Sequence, residues 1–199
     1  GIFNDGTLTI SNGDICGNYA VSDGGGIYNI GALTLSGSGG ISSNYTAGNG
    51  GGVCNDGSEN SVTFAMENGS IYSNQAQNGG GVYNEGTETV FEVKDGAIFS
   101  NAAEFVGGGI GITGSTVVTI SGGELTGNSF GDYGRGGAIA VSAGTLILSG
   151  SVCIPAGDAV NQNDVYVLYL AGSPRVVTIS GTLSSDETVA TISPSAYGE

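Results

Sequence analysis

The stretch GGGIYN at positions 24–29 returns as GGGVCN at 50–55 and as GGGVYN at 79–84, with fainter copies GGGIGI at 107–112 and GGAIAV at 136–141. When the residues just before the aliphatic position are aligned, successive copies lie 25, 26, 29, 28, 29 and 26 residues apart. This period is typical of repeat proteins whose units bury their apolar face only against neighbouring units. The sequence therefore predicts a solenoid or a propeller.

Each period contains three short strand-like segments, which in the second repeat are GIYN, LTLSG and GISSN. Their branched or alternating apolar residues lie between Gly, Asn and Ser, as in short strands. Glycines interrupt every candidate helix, and a propeller blade needs four strands in roughly 40 residues. We therefore predict an all-β protein, a single-stranded parallel β-helix (β-solenoid) of about seven rungs with three short strands each.

Rungs that stack in register align equivalent residues into columns, and three sets of aliphatic residues are predicted to face inward. The first set comprises Ile2, Ile27, Val53, Val82, Ile110, Ile139 and Val165. The second consists of i, i+2 pairs that run from Leu8 and Ile10 to Val177 and Ile179. The third comprises Ile15, Ile41, Ile71, Ile98, Leu125 and Val152. Together these columns predict one continuous core along the axis.

Asparagine recurs in two further columns. Those after the first strand are Asn4, Asn29, Asn55 and Asn84. Those after the third strand are Asn18, Asn44, Asn74, Asn101 and Asn128. An amide both donates and accepts, so stacked copies can bond to each other and to the turn backbone. We predict structural ladders, and a polar ligand site is the alternative.

The glycine triplets precede the first strand, where a corner requires positive φ and close approach to the adjacent rungs. Phosphate binding is the rival interpretation. A phosphate loop needs a helix after the glycines, and here a strand follows each time.

The segments GGGIYN…LTLSGSGGISSN and GGGVYN…GAIFSN resemble the repeats of bacterial cell-surface right-handed β-helix proteins, including the polymorphic outer-membrane protein type with its GGAI…I.GN.A repeat. The tail that begins NDVY at Asn163 is similar to the end of such arrays. The resemblance implies a right-handed β-helix at the cell surface with an adhesive or structural role, and it supplies no catalytic residues. It covers one domain over 1–199, with regular repeats over 1–163 and a divergent C-terminal rung and terminal strand over 164–199.

The chain has three basic and 18 acidic residues, and its net charge is −15. Nucleic acids and anionic membranes attract Lys and Arg, so neither is an expected partner. No apolar stretch of about 18 residues is present, so we expect no direct membrane insertion by this segment. The composition is typical of an extracellular or cell-surface protein of a microbe.

The chain has no histidine, which removes Ser-His-Asp and Cys-His catalytic sites and any metal site that uses histidine. Because pectate lyases and polygalacturonases share the β-helix, a polysaccharide lyase or glycoside hydrolase is the alternative function, and it would need carboxylates that converge from neighbouring rungs. Acidic residues here fall mainly in turns and outward positions. We predict a protein that is not an enzyme and has no cofactor, although acidic turns leave room for weak calcium binding at the surface.

One outward column contains aromatic residues and a thiol. Cross-strand stacking is the favoured interpretation of this column, and the alternative is a contact ribbon for a glycan or another protein, formed by Tyr28, Cys54, Tyr83 and Tyr166.

The three cysteines are expected to stay unpaired within the chain. Cys16 and Cys153 are predicted to share a column five rungs apart, about 24 Å, whereas a disulfide needs Cα atoms within about 7 Å. Cys54 is predicted on another face.

The chain enters the repeat at residue 1 without a capping rung. We expect either a part of a longer surface protein or exposed edges that pair copies head to tail. The predicted function is a rigid rod for adhesion or for structural self-assembly. Its expected partners are a host or microbial surface protein or glycan, or other copies of itself.

Overall fold

The fold is known from a computed structural model, which describes residues 1–157, 163–168, 176–180 and 192–194. Over these residues all regular structure is β, no helix occurs, and neighbouring strands pair in parallel. Much of the predicted divergent C-terminal rung, namely residues 169–175, 181–191 and 195–199, lies outside the described residues.

The chain passes in a fixed order through four sheets, here called sheets I to IV. Sheet I comprises Ile2–Asn4, Ile27–Asn29, Val53–Gly57, Val82–Gly86, Ile110–Ile112, Ile139–Val141, Val165–Val167 and Ile192–Pro194. Sheet II comprises Thr7–Ile10, Ala32–Leu35, Val62–Met66, Thr89–Val93, Val117–Ile120, Thr145–Ser149 and Val176–Ser180. Sheet III comprises Asp14–Cys16, Gly40–Ser42, Ser70–Tyr72, Ala97–Phe99 and Glu124–Thr126. Sheet IV comprises Tyr19–Ala20, Tyr45–Thr46, Gln75–Asn78, Ala102–Val106 and Ser129–Phe130.

The predicted parallel β-helix is confirmed, and the rung number is close to the prediction. Among the described residues sheet I has eight strands and sheet II has seven, so each return of the chain to sheet I lays one rung on the previous one. The prediction of three strands per rung was incomplete, because the first five rungs contain a fourth strand in sheet IV. These strands bury small residues such as Thr46, Ala76 and Ala103, so they carry no branched apolar pattern in the sequence.

The core is the continuous column that the aliphatic periodicity predicts. Ile27 pairs with Val53 and Val53 with Val82, and none of the three side chains is exposed to solvent. In sheet II, Phe64 and Phe91 stack with their ring centroids 4.5 Å apart. Complete burial of each large apolar side chain contributes roughly 1.5–3 kcal/mol, so the same stabilising unit is repeated at every rung.

One position of the predicted third column was wrong. A parallel backbone β-bridge pairs Glu124 with Cys153, which places Ile154 rather than Val152 next to Leu125. Ile154 follows the inward residue Leu148 by six residues, whereas the predicted Val152 follows it by four, so the connection between sheets II and III is two residues longer than the prediction assumed. Both side chains are buried, because residues two apart face the same side. Cys153 therefore does not share the column of Cys16.

The glycine triplet lies at the corner that precedes sheet I, as predicted, and connects it to sheet IV. Each of its three positions requires glycine for a different physical reason. The first glycine has positive φ, 70° at Gly50. A Cβ on the second, Gly51, would collide with the carbonyl oxygen of Gly80 in the next rung. A Cβ on the third, Gly52, would lie 2.6 Å from the carbonyl oxygen of Gly81 and 3.0 Å from Nδ2 of Asn74. The third glycine therefore leaves room for an asparagine ladder.

Candidate functional site

The asparagines after sheet III form a hydrogen-bonded file through the interior. Asn44 Nδ2 donates to Asn74 Oδ1 at 3.0 Å, and Asn74 Nδ2 donates to Asn101 Oδ1 at 3.0 Å. Each Oδ1 also accepts the backbone N–H of the preceding ladder residue, as Asn74 Oδ1 does from Asn44 at 3.0 Å. Asn18 extends this ladder at one end, and Asn128 extends it at the other. The amides bond to each other and to the backbone, which is the structural arrangement rather than a ligand site.

The ladder reaches one residue further than the sequence indicates. Asn163 Oδ1 accepts from Asn128 Nδ2 at 3.4 Å, and Asn163 Nδ2 donates to the carbonyl of Leu125 at 2.8 Å. Asn163 follows Asn128 by 35 residues, which is longer than the repeat period, so the spacing concealed it.

The asparagines after sheet I form a second, shorter ladder. Asn4 donates to Asn29 at 2.7 Å, Asn29 to Asn55 at 2.8 Å and Asn55 to Asn84 at 2.9 Å, from Nδ2 to Oδ1 in each case. Asn84 Nδ2 donates to the carbonyl of Gly111 at 3.3 Å, because the next rung has Ile112 in the ladder position. This ladder therefore ends against backbone.

The structure brings together three of the four residues of the predicted contact ribbon. Tyr28 pairs with Cys54 and Cys54 with Tyr83 along sheet I, whereas Gly111 and Ala140 separate them from Tyr166. Cys54 is completely buried, and the two tyrosines are half-buried. The four side chains therefore do not form one continuous exposed surface.

The ribbon tyrosines have neighbours within the protein. The Tyr28 ring stacks on Phe3 with centroids 5.9 Å apart, and its hydroxyl donates to Asp56 Oδ2 at 2.6 Å. The Tyr83 ring lies over Gly111, where an added Cβ would come within 2.8 Å of Tyr83 Cδ2. Stacking along the sheet, the interpretation that the sequence favoured, accounts for these contacts.

Acidic side chains surround the buried thiol of this face. Cys54 Sγ donates to Glu85 Oε1 at 3.6 Å. Burial raises the pKa of the Cys54 thiol well above its usual value, and the Glu85 and Asp23 carboxylates add to the shift. Burial likewise raises the pKa of Tyr83 to about 12. A neutral, buried thiol is a poor nucleophile, so this cluster does not resemble an activated cysteine site.

The two carboxyl groups of this face have pKa values shifted in opposite directions. Glu85 pairs with Asp56 on the adjacent strand, and burial followed by the Asp56 charge raises the pKa of Glu85. Burial opposes ionisation of Asp56 as well, but hydrogen bonds from Ser58 and Tyr28 outweigh it and lower the Asp56 pKa. A cavity of 280 Å³ lies beside Tyr28 and Asp56, and Glu85 does not line it.

A larger concave site, which the sequence analysis missed, lies on sheet IV. It is a groove of 460 Å³ that crosses four neighbouring rungs. Thr46, Ala76 and Ala103 are nearly fully buried and form its base, whereas Tyr45 at one end is 42% exposed. We refer to this site as the sheet IV groove.

Polar side chains line the groove between two aromatic residues. Gln75, Gln77 and Glu104 are exposed, and none of them makes a side-chain hydrogen bond within the described part of the chain. Tyr45 stands at one end, where Tyr19 stacks on it with centroids 5.4 Å apart, and Phe130 stands at the other. The sequence pattern that could have located the groove is the small residue two positions after three ladder asparagines, which is Thr46, Ala76 or Ala103.

Over the ranges that the structure covers, no group of three or more Cys, Asp and Glu side chains is arranged to hold a metal ion. The same ranges contain no helix with the length and apolarity to cross a membrane. All three cysteines are free, with Cys16 exposed, Cys153 half-buried and Cys54 buried.

The fold and its surface define a parallel β-solenoid with two internal asparagine ladders and a side-chain-lined groove. No protein-family profile matches the chain, and no curated protein and no solved structure matches it.

Proposed function

We propose that the protein is a non-enzymatic extracellular or cell-surface protein of a microbe, a rigid β-helical rod that presents a binding surface for adhesion. The observation that carries the proposal is the sheet IV groove, an open site with exposed aromatic and amide side chains. The packing of the rungs does not require these outward side chains. Binding sites for small or extended ligands are concave and combine apolar area with a few polar groups.

Rigidity supports the same function. The buried aliphatic column and the internal asparagine ladder run through successive rungs, so a bend between rungs would break hydrogen bonds and expose apolar surface. A stiff rod holds a side groove in a fixed orientation, which lowers the ordering cost of binding to an immobile surface. The net charge of −15 keeps such a rod soluble and disfavours anionic ligands.

The test is adhesion of the purified, fluorescently labelled 199-residue chain to microbial and animal cells, with size measurement by light scattering in parallel. We expect saturable cell binding that falls when Tyr45 and Gln77 in the groove are replaced by alanine. A double variant of Tyr133, 89% exposed and outside the groove lining, and Asn60 is the matched control. Binding that is absent, or equal in the two double variants, would contradict adhesion through the groove. Filaments in the light-scattering experiment would favour head-to-tail self-assembly as the main role.

A second candidate is the carbohydrate-active enzyme, which the opposite pKa shifts of Glu85 and Asp56 favour. A pair of carboxyl groups, one kept protonated and one kept ionised, is the pattern of acid–base hydrolysis of glycosidic bonds. Against it, the cavity beside Asp56 does not include Glu85, and both Asp56 oxygens already accept hydrogen bonds from Tyr28 and Ser58. Release of soluble sugar from a polysaccharide panel, lost in Glu85→Gln, would establish the enzyme in place of the adhesive rod.

A further inference from the structure

We infer that the sheet IV groove binds a neutral glycan, with the sugar chain extended along the axis of the solenoid. The inference rests on the proposed binding function and names its ligand class. The observations that support it are the direction of the groove, the side chains that line it, and the charge around it.

The direction of the groove excludes the usual way of binding an extended peptide. One side of the groove is the column Tyr45, Gln75, Ala102 and Ser129, one residue from each of four consecutive strands. The groove therefore runs across the strands, along the axis, for about three strand spacings or roughly 14 Å. A peptide strand gains its affinity from main-chain hydrogen bonds to an open sheet edge. The strands at Gln75–Asn78 and Ala102–Val106 are already paired on both sides, so a ligand there meets side chains instead of open backbone.

The lining side chains are suited to a hydroxyl-rich ligand. Gln75 and Gln77 each offer amide donors and an acceptor, and the Glu104 carboxylate accepts strongly. Together they can donate hydrogen bonds to hydroxyl groups and accept hydrogen bonds from them. Their side chains have no partner among the described residues, so a ligand would displace only water from them. Tyr45, 42% exposed at one end, offers an aromatic ring on which the C–H groups of a sugar can stack, and Phe130 follows Ala103 in the base column at the other end.

The base of the groove limits the shape of the ligand. Ala76 and Ala103 are each 4% exposed, and their small side chains let the strand lie close to the interior, so the outer side chains stand above it. We therefore expect a ligand chain to lie lengthwise between the two outer columns of side chains, above the small residues of the base.

The charge around the groove selects against anionic polymers. Of the described residues that line the groove, Glu104 is the one that is charged, and the chain as a whole has a net charge of −15. A uronate-containing or sulfated glycan would therefore be repelled, as would an acidic peptide. A neutral polysaccharide, from the microbe's own surface or from a host, can bond to the polar side chains of the groove and is not repelled by the negative charge of the protein.

The experiment is affinity electrophoresis and isothermal titration of the 199-residue chain with soluble neutral polysaccharides, namely a β-glucan, an α-mannan and a galactomannan, beside polygalacturonate. We expect at least one neutral polysaccharide to bind and polygalacturonate not to bind. Tyr45→Ala should weaken binding about tenfold, whereas Tyr133→Ala should change it less than about twofold. Circular dichroism of each variant verifies that the fold is intact. Glu104→Gln, which removes the charge and keeps the size, should lessen the discrimination against polygalacturonate.

The outcomes separate this inference from the proposed function. Cell adhesion that survives removal of surface glycans but is lost after protease treatment would retain the adhesive rod and overturn the glycan ligand. Preferential binding of polygalacturonate would overturn the charge argument and the inference with it. Glycan binding that is unaffected by Tyr45→Ala would place the ligand elsewhere on the rod and overturn the assignment of the groove.

Discussion

Replacement of Asn74 by alanine tests whether the internal ladder stabilises the solenoid. Asn74 is 1% exposed, and its side chain takes part in four hydrogen bonds. Its Oδ1 accepts from the backbone N–H and from Nδ2 of Asn44, both at 3.0 Å. Its Nδ2 donates to the carbonyl of Ile41 at 2.8 Å and to Asn101 Oδ1 at 3.0 Å.

The loss can be estimated from the groups that are left behind. In Asn74→Ala the backbone N–H of Asn44 has no acceptor, and the Ile41 carbonyl loses its side-chain donor. Asn44 Nδ2 keeps the carbonyl of Ile15, and Asn101 Oδ1 keeps the backbone N–H of residue 74. Each buried polar group without a partner costs about 1–3 kcal/mol, so the free energy of unfolding should fall by about 4 kcal/mol.

The same residue type at the accessible end of the ladder is the matched control. Asn18 donates to Asn44 Oδ1 at 2.9 Å and to the carbonyl of Cys16 at 3.2 Å, but it is only partly buried. Water can replace its bonds, so Asn18→Ala should cost about 1 kcal/mol. Urea unfolding followed by circular dichroism would measure both variants, with equal m values as the condition for comparison.

A charged isostere gives an independent check on the same position. Asn74→Asp keeps both acceptor contacts with Asn44 but turns an oxygen toward the carbonyl of Ile41 and Oδ1 of Asn101, where only a protonated carboxyl can donate. The folded pKa of the new carboxyl is raised, so stability is lost as the pH rises through that pKa. Equal unfolding midpoints for the variants at positions 18 and 74, or a pH-independent Asp variant, would refute the reasoning that the ladder is a buried network.

Three further predictions concern single residues. Iodoacetamide should modify exposed Cys16 in the native protein and buried Cys54 only after unfolding, and peptide mass spectrometry that found equal rates would contradict the burial. Burial raises the pKa of Glu85, so native stability should fall as the pH rises from the ordinary glutamate range through the raised pKa; Glu85→Gln should lessen this fall in urea midpoints measured from acid to neutral pH. Ser73 has φ of 54°, so Ser73→Gly should raise the unfolding midpoint because the left-handed conformation costs roughly 1–2 kcal/mol and glycine's added entropy roughly 0.5–1, whereas Ser42→Gly, in a strand, should lower it.

The sequence predicted those parts of the fold in which one physical requirement recurs at every rung. The column through Ile27, Val53 and Val82 was readable because each rung must bury an aliphatic residue at the same point. The ladder through Asn44 and Asn74 was readable because an amide stacks best on another amide. Stacking in register converts these local needs into a visible period.

The sequence was less informative where a turn changes length or where the inward residue is small. In one rung the connection between sheets II and III is two residues longer than the prediction assumed, so Ile154 takes the place predicted for Val152, and both are apolar residues that face inward. Sheet IV was missed because Thr46, Ala76 and Ala103 provide too little apolar area to mark a strand. Asn163 was missed because its rung is longer than the period.

The variation within a column separates structural positions from positions that are open to a ligand. Along the outer column of sheet IV the residues are Tyr19, Tyr45, Gln75, Ala102 and Ser129, which share neither size nor polarity. Stacking therefore imposes no single side chain there, in contrast to the asparagine columns, where the same amide returns because its neighbours require it. The sheet IV groove is concave, and its amides and carboxylate make no hydrogen bond within the described residues. A ligand can therefore bind there without disturbing the stacked rungs. The ladder variants should thus alter stability and leave glycan affinity unchanged in the folded protein, and the groove variants should do the reverse.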